Sequence, residues 1–176
     1  TDSLVGSEMC IRDSPMIIIS QDEAIINEKS RSKKVKTWRY KAKNVRDFAF
    51  TSSRKFIWDA MGVKLGDRTV MAMSYYPKEA NPLYERYSTR AVAHTLNVYS
   101  KYTFDYPYPV AISVEAANGM EYPMICFNYG RPQKDGTYSE RIKYGMISVI
   151  IHEVGHNYFP TVSYTHLTLP TKSSGW

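Results

Sequence analysis

The sequence has 176 residues and only two cysteines, Cys10 and Cys126, so it does not encode a disulfide-stapled scaffold. Long apolar runs are missing as well. The longest interior one, residues 146–151 with Ser148 inside it, is far short of the ~18 residues that a membrane-spanning helix needs, and no membrane span is expected. The first residues lack a basic start followed by an apolar stretch, so no secretory signal is read there. Internal repeats and low-complexity segments are absent. Nor is charge concentrated: the formal net charge of +6 is spread through strand-like text, and a nucleic-acid partner is not expected. What remains, 43% hydrophobic and 23% charged, is an ordinary globular composition sufficient for one domain or parts of two. Nothing in it names a compartment or an oligomeric state.

Two stretches at the ends differ in texture from the rest. Residues 3–14 (SLVGSEMCIRDS) and 162–171 (VSYTHLTLPT) resemble peptides that arise when sequencing-adapter DNA is translated. Neither shows a helical or strand period, and the closing LTLPTKSSGW is polar and turn-forming. Residues 1–14 and 161–176 are therefore expected to be non-native tails that leave the rest of the fold untouched, with residues 15–160 as the genuine stretch.

Between those ends the pattern changes once. Residues 16–64 are rich in strand-like text, with MIIIS, VKTWRYKAK, DFAF and KFIWDAMGV, and the basic run at 31–36 reads as a solvated strand face or hairpin edge. After Gly66-Asp67 the strand TVMAMSYYP ends at Pro77. Asn81-Pro82 then opens a helix to about Tyr102, whose register of Leu83, Tyr87, Ala91, His94, Leu96 and Tyr99 is amphipathic. FDYPYP is a stiff aromatic turn, AISVEA a strand broken at Asn118-Gly119, and residues 123–128 a further short strand. Ser139 is placed to N-cap a last helix that runs through Tyr158. This order predicts an α+β fold.

Chemistry gathers in that last helix, where His152, Glu153 and His156 form H-E-x-x-H. Residues i and i+4 share a helix face, so two imidazoles can converge on one metal, and zinc accepts that geometry. Glu153 projects beside such an ion and can take a proton from the water that zinc activates. The plain alternative is two histidines on a buried helix. Ile147, Val149, Ile150, Ile151 and Val154 make the helix apolar nearly all round, which predicts a core position where three polar side chains need a compensating partner.

Other residues read more simply. Glu121, after a Gly-Met turn at the end of a strand, can meet a cation at a cleft rim or close a turn as a surface acid. Glu115 is a second candidate acid on the same strand. Tyr158 reads as core packing, His94 as a polar residue on a solvated or partly buried helix face, and Cys126, between Ile125 and Phe127, as buried strand filler.

Gly119-Met120-Glu121 followed by His152-Glu153-Val154-Gly155-His156-Asn157 resembles the paired signature of the gluzincin zinc metallopeptidases, the aminopeptidase N and leukotriene hydrolase-like family. The likeness extends through VRDFAFTSSRKFIWDAMGV and YSTRAVAHTLNVYSKYTFDYPYPVA. It implies the end of an N-terminal β-domain over residues 15–62 and the first half of a thermolysin-like catalytic domain over 63–160, ending in the HExxH helix. It implies zinc held by His152 and His156, Glu153 as general base, Glu121 on the free α-amine of a peptide substrate, and the strand of Gly119 and Met120 along the substrate backbone. The sequence departs from the family in having Tyr122 where Asn is usual and Asn118 where Gly opens the motif.

The resemblance also implies a third zinc ligand, a Glu on a helix beyond the second His, and an oxyanion-stabilising tyrosine. No acidic residue follows Glu153, and His166, ten residues past His156, matches no zincin spacing. The chain is thus expected to be a piece that lacks the third ligand and is itself inactive. The favoured expectation is aminopeptidase-type hydrolysis; a zinc endopeptidase of the same fold and a non-catalytic peptide-binding scaffold are the alternatives.

Overall fold

A computed structural model of the chain describes residues 4–12, 16–19, 26–28, 35–43, 45, 47–117 and 119–159. The described residues form a mixed α+β structure, as the element order in the sequence predicts. It begins with β1 (Leu4–Arg12), β2 (Met16–Ile19), β3 (Ile26–Glu28), β4 (Val35–Lys43), β5 (Phe50–Ser53), β6 (Ile57–Leu65) and β7 (Arg68–Tyr76). A 3-10 turn at Lys78–Ala80 and a π-helical turn at Tyr84–Ser88 lead into α1 (Thr89–Tyr102), followed by β8 (Val110–Glu115), β9 (Met120–Tyr122), β10 (Ile125–Asn128) and α2 (Glu140–Gly155).

The sheet that organises the molecule has five strands in the order β6-β7-β8-β10-β9. β6 and β7 form an antiparallel hairpin across Gly66, whose φ of 57° suits a residue without a side chain. β8 lies parallel to both β7 and β10, and β9 folds back antiparallel on β10 to make the sheet edge. Strands with parallel neighbours on both sides are covered on both faces. All six residues of β8, Val-Ala-Ile-Ser-Val-Glu, are accordingly buried.

The two-residue strand period sorts this sheet into two cores. Val70, Ala72, Tyr76 and Ala111 face the helices and pack with Val92 and Leu96 of α1 and Met146, Ile150 and Val154 of α2. Tyr75, Val110, Ile112 and Val114 face the other way and pack with Ala42, Val45 and Ile125. Each fully buried Leu or Ile here contributes about 1.5–3 kcal/mol, so the helix layer is fixed mainly by its apolar stripe. α2 starts where the sequence predicts: Ser139 accepts a hydrogen bond from the Ile142 N–H at 3.3 Å, and Glu140 stands in the first turn where the helix dipole favours an anion.

Several expectations need correction. α2 ends at Gly155 rather than Tyr158, because the chain turns at His156 and Asn157. It is not buried all round either. Met146, Ile150, Glu153 and Val154 face the sheet while Ile147, Val149 and Ile151 are only half-buried, so the helix is a one-sided layer on the sheet. β9 escapes the sequence pattern because an edge strand of three residues shows no period. Residues 4–12, set aside for lacking a strand period, form β1 and pair antiparallel with β4 along their length, since a ladder of backbone hydrogen bonds needs no side-chain alternation. Gly62 itself is a residue of β6. Asn118, His166, residues 31–34 of the basic run and the whole 161–176 tail lie outside the described residues. Among the described residues no helix is long and apolar enough to cross a membrane.

Candidate metal centre

The last turn of α2 carries the motif, and the helical step of about 100° per residue decides what each side chain meets. His152 is exposed, Glu153 is turned toward the sheet and buried, and His156, which caps the helix, is half-buried. The two imidazole Nε2 atoms lie 3.1 Å apart with the rings nearly perpendicular. His156 Nδ1 is 3.2 Å from the Phe159 carbonyl oxygen, a contact that fixes the ring's orientation. One donor atom from each of His152, Glu153 and His156 falls within 4.8 Å of the others, so the three side chains could hold a metal ion.

Across from the helix, β9 brings up Glu121, paired with Cys126 of β10. Its carboxylate reaches Glu153, and the effect is visible in the electrostatics. Glu153 is held above the ordinary carboxylate range, first by burial, with His152 pulling the other way. The negative charge of Glu121 and its hydrogen bond push in the same direction as burial, and His156 opposes them. Gly119 completes the wall. A β-carbon there would overlap Glu153 Oε1 and stand 3.5 Å from Val149 Cγ1, so this position leaves room for the carboxylate. Met120 side chain points to solvent.

The turn that returns β9 to β10 is Pro123-Met124. Met124 is buried yet has φ 67°, a conformation that a side-chain-bearing residue adopts only under constraint. Its N–H donates to Asn157 Oδ1 at 2.7 Å, and its carbonyl accepts from the Ile112 N–H at 2.9 Å. A cavity of about 500 Å³ opens along α2 next to Gly119, lined by Ile142, Gly145, Met146 and Val149, with Arg141 also on its wall.

The sequence candidates therefore divide. His152, Glu153, His156, Glu121 and Gly119 come together. Glu115 does not join them; it is buried at the end of β8 in a bidentate pair with Arg131, at 2.7 and 3.1 Å. Tyr158 is core, donating to the Leu96 carbonyl at 3.1 Å, and His94 is exposed. Cys126 is the buried filler expected of it; burial pushes its thiol up to about 12. Asn157, quoted within the motif but given no role, is the residue sequence reasoning missed; its only signal is its place directly after the second histidine. No protein-family model and no curated protein sequence matches the chain.

Proposed function

We propose that the chain carries the metal-binding and amine-binding parts of a zinc metallopeptidase of aminopeptidase type. The observation that supports this reading is the joint placement of two converging imidazoles, a buried carboxyl of raised pKa beside them, and a second carboxyl on a sheet edge opposite. The donor set fits zinc, which favours imidazole nitrogen and tolerates one helix face as a bidentate clip. When bound, zinc would supply a Lewis acid that polarises the scissile carbonyl and makes water a better nucleophile. His152 and His156 would hold it through Nε2. Glu153, whose burial raises its affinity for a proton, accepts one from the attacking water and returns it to the leaving amine. Glu121 meets the substrate's free ammonium, and the edge of β9 offers backbone groups to an extended peptide. The thermolysin-like arrangement of the whole catalytic domain belongs to this proposal.

Catalytic zinc is ordinarily held by three protein ligands. Among the described residues the nitrogen donors of this site are two histidines, and on that donor set the chain should bind zinc weakly and turn over little by itself. The test is zinc titration of that chain by calorimetry, with His152→Ala, His156→Ala and Glu153→Gln, alongside hydrolysis of aminoacyl amides and of N-acetylated peptides. Both histidine variants should abolish zinc binding, and Glu153→Gln should retain it. Robust zinc-dependent turnover, lost in Glu153→Gln, would mean that the site is complete in this chain. Zinc binding that ignores both histidines would sink the reading. Cleavage of N-acetylated peptides as readily as free ones would favour an endopeptidase.

A further inference from the structure

We infer that Asn157 is a positioning residue that sets Glu121 against the metal helix through the backbone of Met124; the inference rests on the aminopeptidase reading for its consequence. Three observations carry it. Asn157 is tied to α2, because its own N–H donates to the Val154 carbonyl at 3.1 Å, inside the HExxH turn. Its side-chain oxygen then accepts from the Met124 N–H at 2.7 Å, a bond that crosses from the helix end to the β9–β10 turn. Met124 sits at φ 67° with its side chain buried, so the turn holds a conformation that glycine or asparagine would adopt more readily.

Position follows from connectivity. Tyr122 and Ile125 are paired across the turn, and Glu121 with Cys126 is the next rung, so the turn's conformation fixes where the Glu121 backbone lies. The Met124 carbonyl is also bound to Ile112 N–H of β8, which anchors the turn to the sheet on its other side. Asn157, two residues beyond α2, links this turn by its side chain to the end of the helix whose last turn and C-cap carry His152, Glu153 and His156. Without an acceptor there, a buried N–H loses its partner and the left-handed backbone loses the bond that offsets its strain. The distance between the carboxyl meant for the ammonium and the carboxyl meant for the proton is then no longer set.

The test uses the full chain loaded with zinc, Asn157→Ala, which removes the acceptor, and Asn157→Asp, which keeps it. Amide hydrogen exchange at Met124 should accelerate about tenfold in Asn157→Ala and stay at the parent rate in Asn157→Asp, the size expected for one buried hydrogen bond. L-leucinamide affinity by calorimetry should fall about tenfold in Asn157→Ala and return in Asn157→Asp, while zinc affinity stays the same in all three. Unchanged exchange at Met124 in Asn157→Ala overturns the inference. So does faster exchange with unchanged leucinamide affinity, because the bond would then be structural only. If Asn157→Ala does not fold, Asn157→Asp still decides: faster Met124 exchange in that variant contradicts the proposed bond, and the parent rate supports it. A parent chain that binds zinc but no leucinamide overturns the aminopeptidase reading, and with it the amine-positioning role, while the exchange measurement still decides whether Asn157 fixes the turn.

Discussion

Two acidic regions flank the central sheet, and they are built in opposite ways. At the end of β8 Glu115 is buried, with a side chain 4% exposed, and meets the Arg131 guanidinium through both oxygens. On α2, opposite the sheet edge, Glu153 is also buried, but its neighbours are Glu121, a like charge, and two histidines. The first arrangement sets a cation directly against the carboxylate. The second leaves the carboxyl's charge state responsive to whatever enters. A buried acid is thus not a functional signal by itself; the character of its neighbours separates a structural ion pair from a reactive one.

The largest test of that contrast is Arg131→Met. It strands the Glu115 carboxylate, and the free energy of unfolding in urea should fall by about 2–3 kcal/mol, discounted from a fully buried pair because Arg131 is half-exposed. A smaller change would mean that the two regions differ less than their geometry suggests.

At the other region the sign reverses. A carboxyl whose folded pKa lies above its unfolded value binds its proton more tightly in the folded chain, so its contribution is fully present below the ordinary carboxylate range and is lost as pH rises through the raised value. Metal-free Glu153→Gln should therefore be more stable than the parent at neutral pH, with the difference closing near about pH 4, as read from urea midpoints across pH. Equal pH profiles for the two proteins would remove the contrast.

The smallest effect on stability belongs to Gly119→Ala. The added methyl would overlap Glu153 Oε1, stand 3.3 Å from its Cδ and make ordinary contact with Val149; because the overlap is with the far end of a long side chain, the free energy of unfolding should hold within about 0.5 kcal/mol. The carboxyl must still move, and the pH profile should flatten toward that of Glu153→Gln. A large loss of stability would show that Glu153 cannot yield.

What could be read from the sequence followed the range of the forces involved. β7, β8, α1 and the Ser139 cap depend on local period and on a side chain reaching its own helix, and these were legible. So was the His152, Glu153, His156 grouping, because the spacing of one helical turn makes the geometry. The one-sided burial of α2 was not legible, since only the sheet decides which of its apolar residues are covered. Glu115 found its partner sixteen residues away and Asn157 found Met124 thirty-three away, separations at which no spacing rule operates. The residues alone read Glu121 as a cleft-rim or turn-closing acid and the family resemblance assigned it to an amine; its approach to Glu153 was not foreseen, because thirty-two residues separate them. β1 was lost to reasoning from text alone, because strand pairing answers to a neighbour's backbone.

If both rings are neutral, the contacts of the two motif histidines dictate where their hydrogens sit. The Phe159 carbonyl can only accept, so a neutral His156 carries its hydrogen on Nδ1 and presents a bare Nε2. The Nε2 of a neutral His152, 3.1 Å away, must then be the protonated one. A cation held by both Nε2 atoms could not share that spot with a hydrogen, so His152 would have to change tautomer to hold one while His156 would not. As candidate ligands the two imidazoles are thus unequal: one is a finished socket and the other a latch that would have to be turned.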